Sequence, residues 1–172
     1  MANAIEFRHS PRFDFARMHL TTALITAAQT QPLRHAFLWP HLASASDCVL
    51  AADGLSSTFH MGCFSSGELV GIATLVAQHW DALPDARPAE PQMRLRAMAT
   101  HINCRGHNVG SVIIKAVLGE LYTCKKDWVW CDARVSAIGF YDRVGWSVDS
   151  KVYEVEHVGR HQRAFRRIVV PV

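Results

Sequence analysis

The clearest periodicity in the chain lies between positions 109 and 121. Val109, Val112, Ile113, Ala116, Val117 and Leu121 recur at steps of three and four, which gathers them on one face of a helix. Lys115 and Glu120 fall on the wet side, and Lys125 and Lys126 stand at the end where cations complement the helix dipole. Residues 92–100 read as a strand leading toward this helix. Trp128-Val129-Trp130-Cys131 after it is a compact run of β-formers, as in a strand buried on both faces. A short second helix follows, with Ser136 as its cap, Ala137, Ile138, Tyr141 and Val144 on one face, and Gly145 at the position just past its end. Strand, turn, helix, strand, short helix, strand predicts βαβ crossovers between parallel neighbours.

The flanking segments are weaker. Residues 60–64 and 69–77 read as a hairpin joined by Ser65-Ser66-Gly67-Glu68. The proline-rich stretch 81–91 reads as loop, and residues 152–157 and 163–170 as the last two strands around Gly159-Arg160. Toward the beginning, residues 5–8 read as a short strand and residues 18–28 and 32–38 as helices. The pair Trp39-Pro40 ends the second of them. Residues 44–58 read as loop, extended over 48–51.

Composition narrows the class. The 172 residues, 49% of them hydrophobic and 19% charged, read as a single globular domain spanning 1–172. A formal charge of +3 is too small to argue for a nucleic-acid partner. No stretch approaches the roughly 20 apolar residues of a membrane helix, and the start lacks a secretory apolar segment. Five cysteines without CxxC spacing read as reduced thiols of a cytoplasmic chain, with neither a disulfide framework nor a metal site.

The candidate chemistry sits at the junction of strand and helix. Arg105-Gly106-His107-Asn108-Val109-Gly110-Ser111 is a basic, glycine-containing turn ahead of a helix. Glycine lets backbone approach a ligand closely. The free N–H groups of a first helical turn, helped by the dipole, suit a phosphate. Read without context, the same turn is also an ordinary loop-to-helix junction.

Met98-Ala99-Thr100, the Arg105-x-x-Asn108-x-Gly110 turn and the run from Asp132 to Trp146 together resemble the GNAT superfamily of N-acyltransferases. The resemblance is specific over residues 93–146 and fainter elsewhere. Two positions depart from the family pattern. Asn108 stands where the turn's first glycine belongs, and asparagine best tolerates a left-handed backbone after glycine. Asp132 stands where many relatives carry asparagine. The resemblance implies a mixed α+β and α/β fold. Its centre is a mostly antiparallel twisted sheet of six to seven strands, with a parallel pair splayed apart and about four flanking helices.

It also implies acetyl transfer from acetyl-coenzyme A to a primary amine of a small molecule or peptide, in a ternary complex. Main-chain atoms of Met98, Ala99 and Thr100 then receive the pantetheine arm. Residues 105–111, with Asp132, Ser136 and Phe140, complete the cofactor site, and Tyr141 gives the departing thiolate its proton. Read from the residues alone, Tyr141 equally packs on the core. For the base, His60, His101, Asp132 and Glu154 all remain open. Arg34, His35, Trp39, His60 and Arg96 are the candidate acceptor contacts, each with a structural alternative such as a capped helix end over a buried Trp39 or a solvated strand face. A homodimer through strand edges fits the family. The competing reading is a weak or inactive GNAT-like domain that binds acyl-coenzyme A as a sensor.

Overall fold

The computed structural model describes residues 19–156 and 158–169. Seven strands form one sheet in the order β1-β2-β3-β4-β5-β7-β6. They are β1 (Leu20–Ile25), β2 (Phe59–Ser65), β3 (Glu68–Val76), β4 (Gln92–Thr100), β5 (Trp128–Arg134), β6 (Ser147–Val155) and β7 (Gly159–Arg167). The α-helices among the described residues are α1 (Ala27–Phe37), α2 (Val109–Thr123) and α3 (Ile138–Arg143), with three short 3-10 turns between elements. Every neighbouring pair is antiparallel except β4 and β5. The strand expected at 5–8 lies outside the described residues.

The helix expected over 18–28 is a correction. Residues Leu20–Ile25 form β1 at the sheet edge against β2. Thr21, Thr22 and Ile25 are β-branched and suit a strand. The helical signal in this region is the pair Thr26 and Gln29, which form a reciprocal capping box and start α1 one residue later. From there α1 runs unbroken through Pro32 to Phe37, so the second expected helix is its continuation. Residues 48–51 carry no strand.

The hairpin β2-β3 turns on Ser66 (φ 50°) and Gly67 (φ 85°), the two positive dihedrals that a two-residue turn between twisted strands needs. The helix α2 covers one face of the sheet. Val109, Ile113, Ile114, Val117 and Leu121 are buried there with Leu75, Met93, Leu95, Val129 and Cys131. Gly71 of β3 makes this docking close, because a Cβ there would stand 2.7 Å from both Ile113 Cδ1 and Val109 Cγ1. The helix ends on Lys125 at φ 53°, with Lys125 N–H donating to Tyr122 O and Lys126 N–H to Leu121 O. The opposite face carries α1 over Ile72 and Ala99. Beside it lies an aromatic cluster of Trp80, Leu83, Trp128, Trp130 and Phe165.

The first crossover, β4-α2-β5, joins parallel neighbours as expected. The second does not: β7 lies between β5 and β6, antiparallel to both. Ser136 is likewise not a helix cap. It lies inside the 3-10 turn Val135–Ala137 that precedes α3, and its side chain makes no capping bond.

Candidate active site

The parallel pairing of β4 and β5 is short. It runs from Gln92 with Trp128 to Arg94 with Trp130 and then stops. Beyond it β5 stays with β7 as far as Arg134, so β4 and β5 part. A bulge in β4 lies at the parting: one residue of β3 between Ile72 and Thr74 faces two of β4 between Ala99 and Arg96. Ala97 takes up the extra length at φ 46°, a left-handed conformation for a residue with a Cβ. Such a dihedral persists only where surrounding structure enforces it, and it concentrates at functional sites. The parted strands leave a cleft of about 860 Å³, within the ordinary size range of ligand sites.

The turn expected to hold phosphate closes one end of this cleft. Asn108 is left-handed (φ 63°, ψ 4°), the conformation its side chain tolerates after glycine. Gly106 is left-handed too, at φ 80°. Among the described residues, the amides of Gly106, Asn108, Val109, Gly110 and Ser111 have no acceptor; the first bond of the helix is Val112 N–H to Asn108 O. Arg105, Gly106, Asn108, Val109, Gly110 and Ser111 all border the cleft, while His107 is exposed outside it. Gly110 serves packing. A Cβ there would stand 3.0 Å from the Phe140 ring and 3.6 Å from Met98 Cε, so its absence lets α2, α3 and β4 meet at the cleft wall.

Tyr141 also borders the cleft but is almost wholly buried, at 7% exposure. Its ring packs edge-on against Phe140 and tilted on Trp146. Burial, and after it the neighbouring Cys131 thiol, pushes the phenol well above its ordinary pKa. Burial also raises the Cys131 thiol, to about 12. Both groups are therefore protonated at neutral pH.

The α1 face is built differently, from charged side chains. Asp132 points to this face and accepts from Arg94, Tyr153 and Arg163. Burial alone would raise its pKa, but these hydrogen bonds and charges outweigh burial and lower it. The Arg94 guanidinium lies 4.8 Å from the centre of the Trp130 ring and that of Arg163 4.7 Å from Trp80. The charge introduced by Asp132 is thus matched within the protein. Arg96 stands on the same face of β4 as Arg94. It borders the cleft half-buried and, among the described residues, makes no hydrogen bond or ion pair.

The expected acceptor contacts divide. Trp39 and Arg96 border the cleft. Arg34, His35 and His60 do not. Arg34 is fully buried, gripping Asp53 with both arms at 2.6 and 2.9 Å and donating to Cys48 O and Thr74 Oγ1. His35 Nε2 lies 3.0 Å from Leu42 O. His60 Nδ1 lies 3.0 Å from Thr74 Oγ1, and burial lowers its pKa. These groups fasten the loop of residues 38–58 to the sheet.

One cleft residue was not among the expected bases. His161 of β7 is buried, with Nδ1 2.7 Å from Gly159 O. A carbonyl only accepts, so Nδ1 carries the hydrogen and Nε2 of the neutral ring holds the lone pair. The signal available in sequence was its parity with Arg163 and Phe165 along one strand face.

Residues 15–146 match the sequence model of the Acetyltransferase (GNAT) family. The chain belongs to that family. It is 32% identical over 142 residues to the uncharacterised N-acetyltransferase YitI of Bacillus subtilis, covering 83% of this chain and 92% of that protein. This GNAT member is accordingly an acyl-coenzyme A-dependent N-acyltransferase. Solved structures share its fold. An aminoglycoside 6'-N-acetyltransferase complexed with coenzyme A superposes with a TM-score of 0.67 at 11% identity, over 87% of this chain and 97% of that one. The N-acyl amino acid synthase FeeM from uncultured soil microbes gives 0.68 at 10% identity, over 88% and 92%. ElaA of Escherichia coli gives 0.64 at 19% identity, over 87% and 99%.

Proposed function

We propose that this enzyme, a single domain, transfers the acetyl group of acetyl-coenzyme A to the primary amine of a small molecule by direct attack in a ternary complex. The observation that carries the reading is the parting of β4 from β5 onto a turn in which the amides of Gly106, Asn108, Val109, Gly110 and Ser111 have no acceptor among the described residues. A diphosphate at residues 105–111 receives those N–H groups, the positive end of α2 and the Arg105 guanidinium. The pantetheine arm lies along the unpaired edge of β4 at Met98, Ala99 and Thr100. There it supplies the hydrogen bonds that β5 would make in a continuous sheet. Asp132, Ser136 and Phe140 border the same cleft from the other side.

In this account the amine approaches from the α1 face and adds to the thioester carbonyl. The developing oxyanion takes a backbone N–H near Met98, and the C–S bond then breaks. Tyr141 turns its hydroxyl from the Cys131 sulfur to the departing sulfur and protonates it. His161 Nε2 takes the proton released by the amine, directly or through water.

Calorimetry with acetyl-coenzyme A and a thiol-release assay over a panel of amines test the reading together. Binding with turnover is expected. Binding without turnover on any amine would favour the sensor reading, and no binding would refute both.

A further inference from the structure

Resting on the reading that the acceptor meets the thioester on the α1 face, we propose that the acceptor carries a carboxylate close to its amine, and that Arg96 binds that carboxylate. Arg34, Arg94, Arg96 and Arg163 are among the guanidinium groups of this face. Two aspartates answer them. Asp53 is taken bidentately by Arg34. Asp132 is engaged by three donors: its Oδ2 accepts from Arg94, and its Oδ1 from Tyr153 and Arg163. Arg94 places its remaining arm on Gln78, 2.9 Å away. Arg96 alone of the four has neither hydrogen bond nor ion pair among the described residues, and it is one of the residues that line the cleft.

The α1 side of the cleft is therefore electrostatically incomplete within the described residues. Arg96 is half-buried, and burial and the neighbouring Arg94 disfavour its charge by more than Asp132 and Asp53 favour it. His60 contributes no compensating anion, and the adjacent carboxylates are engaged elsewhere. An anion with two coplanar oxygens relieves the desolvation and the repulsion together, because a guanidinium fork matches a carboxylate in two parallel hydrogen bonds. The position fits an acceptor of short reach. Arg96 precedes Met98 by two residues across the bulge at Ala97, on the strand proposed to flank the thioester. A carboxylate held by Arg96 leaves an amine a few atoms away beside the reacting carbonyl. The acceptor class is thus amino acids and short amino-terminal peptide-like acids rather than simple amines or polyamines.

The test uses matched probes: the L-amino acids and their carboxamides, offered to the full chain with coenzyme A thioester. Thiol release should favour acids over amides by about tenfold to a hundredfold in kcat/KM, the range for a hydrogen bond to a charged group. Arg96→Gln should abolish that preference by raising KM for acids far more than for amides, while the affinity for coenzyme A stays unchanged. Arg96→Lys should restore part of it. Amides equal to acids in the wild type, an Arg96→Gln effect common to both, or a tenfold loss of coenzyme A affinity would each overturn the assignment. The same pairs are also read by thermal shift on coenzyme A-loaded protein, which needs no turnover. An acid-selective shift lost in Arg96→Gln supports the carboxylate site even if no amine releases thiol, in which case only the transfer reading falls. Absence of any acid-selective shift overturns the carboxylate site.

Discussion

The two faces of the splayed sheet are built from different materials. On the α2 side the site is made of main chain: a left-handed Asn108, a left-handed Gly106 and amides without acceptors, backed by an apolar layer that includes Val109, Ile113 and Cys131. On the α1 side it is made of charged side chains. There Arg34 and Asp53 are joined across 19 positions of sequence, and Arg94 and Asp132 across 38. A site of backbone groups recognises a ligand part that never changes, such as a diphosphate. A site of side chains can be altered residue by residue without disturbing the sheet, and the proposed function puts acceptor choice on that side. The placement of Arg96, without a hydrogen-bond or ion-pair partner among the described residues, belongs to this second design.

The largest effect expected of a single substitution is on the charged side. Arg34→Leu leaves Asp53 buried without its partner and should lower stability by about 3–5 kcal/mol, measured by urea unfolding. A loss below about 1 kcal/mol would mean that Asp53 is adequately solvated without Arg34, and the proposed fastening of loop 38–58 would fail. Next comes the chemistry of the α2 side. Tyr141→Phe should reduce kcat about a hundredfold, with acetyl-coenzyme A affinity unchanged by calorimetry. An unaltered kcat would remove Tyr141 as the acid. The raised phenol pKa adds a second check: the acid form persists through ordinary alkaline pH, so the rate should climb with pH as the amine loses its proton, with no fall from Tyr141.

Smaller effects sharpen the contrast in packing. Gly71→Ala forces a methyl into the space of Ile113 and Val109 and should destabilise the protein by about 1–3 kcal/mol. Thermal unfolding measures this, and a neutral result would show that α2 can lift from the sheet freely.

The smallest effect concerns Glu90, whose carboxyl is held down to about 2 by hydrogen bonds from the Arg87 backbone, Trp128 and the Arg87 side chain. A depressed acid contributes stability that is present above its unfolded pKa, here 4.5, and lost as pH falls toward about 2. Glu90→Gln should flatten the acid limb of stability between those values. An unchanged slope would relocate acid sensitivity to Asp53 and Asp132, whose pKa values are also lowered.

The same contrast explains what could be read from the chain. The elements from Gln92 to Trp146 were legible because their determinants are local: a helical period, a turn that needs left-handed residues, a strand of β-formers. The cap role of Ser136 and the neighbour of β5 were not. Family resemblance supplied the role of Tyr141, which periodicity alone leaves as a core residue. The charged face was not legible, since pairing Arg34 with Asp53 or Arg163 with Asp132 requires knowing which strands are neighbours. Local signals also misled where two competed. Thr26 and Gln29 mark the start of α1, yet the apolar positions around them suggested an earlier one, and β1 was read as helix. At Gly110 the sequence suggested clearance for phosphate, whereas the absent Cβ faces Phe140.

The central claim is that main-chain amides of the 105–111 turn hold the cofactor's diphosphate. Titration of nitrogen-15-labelled protein with acetyl-coenzyme A, followed by amide resonances, tests it most directly. The largest shifts should fall on Gly106, Asn108, Val109, Gly110 and Ser111, with Met98–Thr100 following. Saturation that leaves those amides unmoved while others shift would contradict the account.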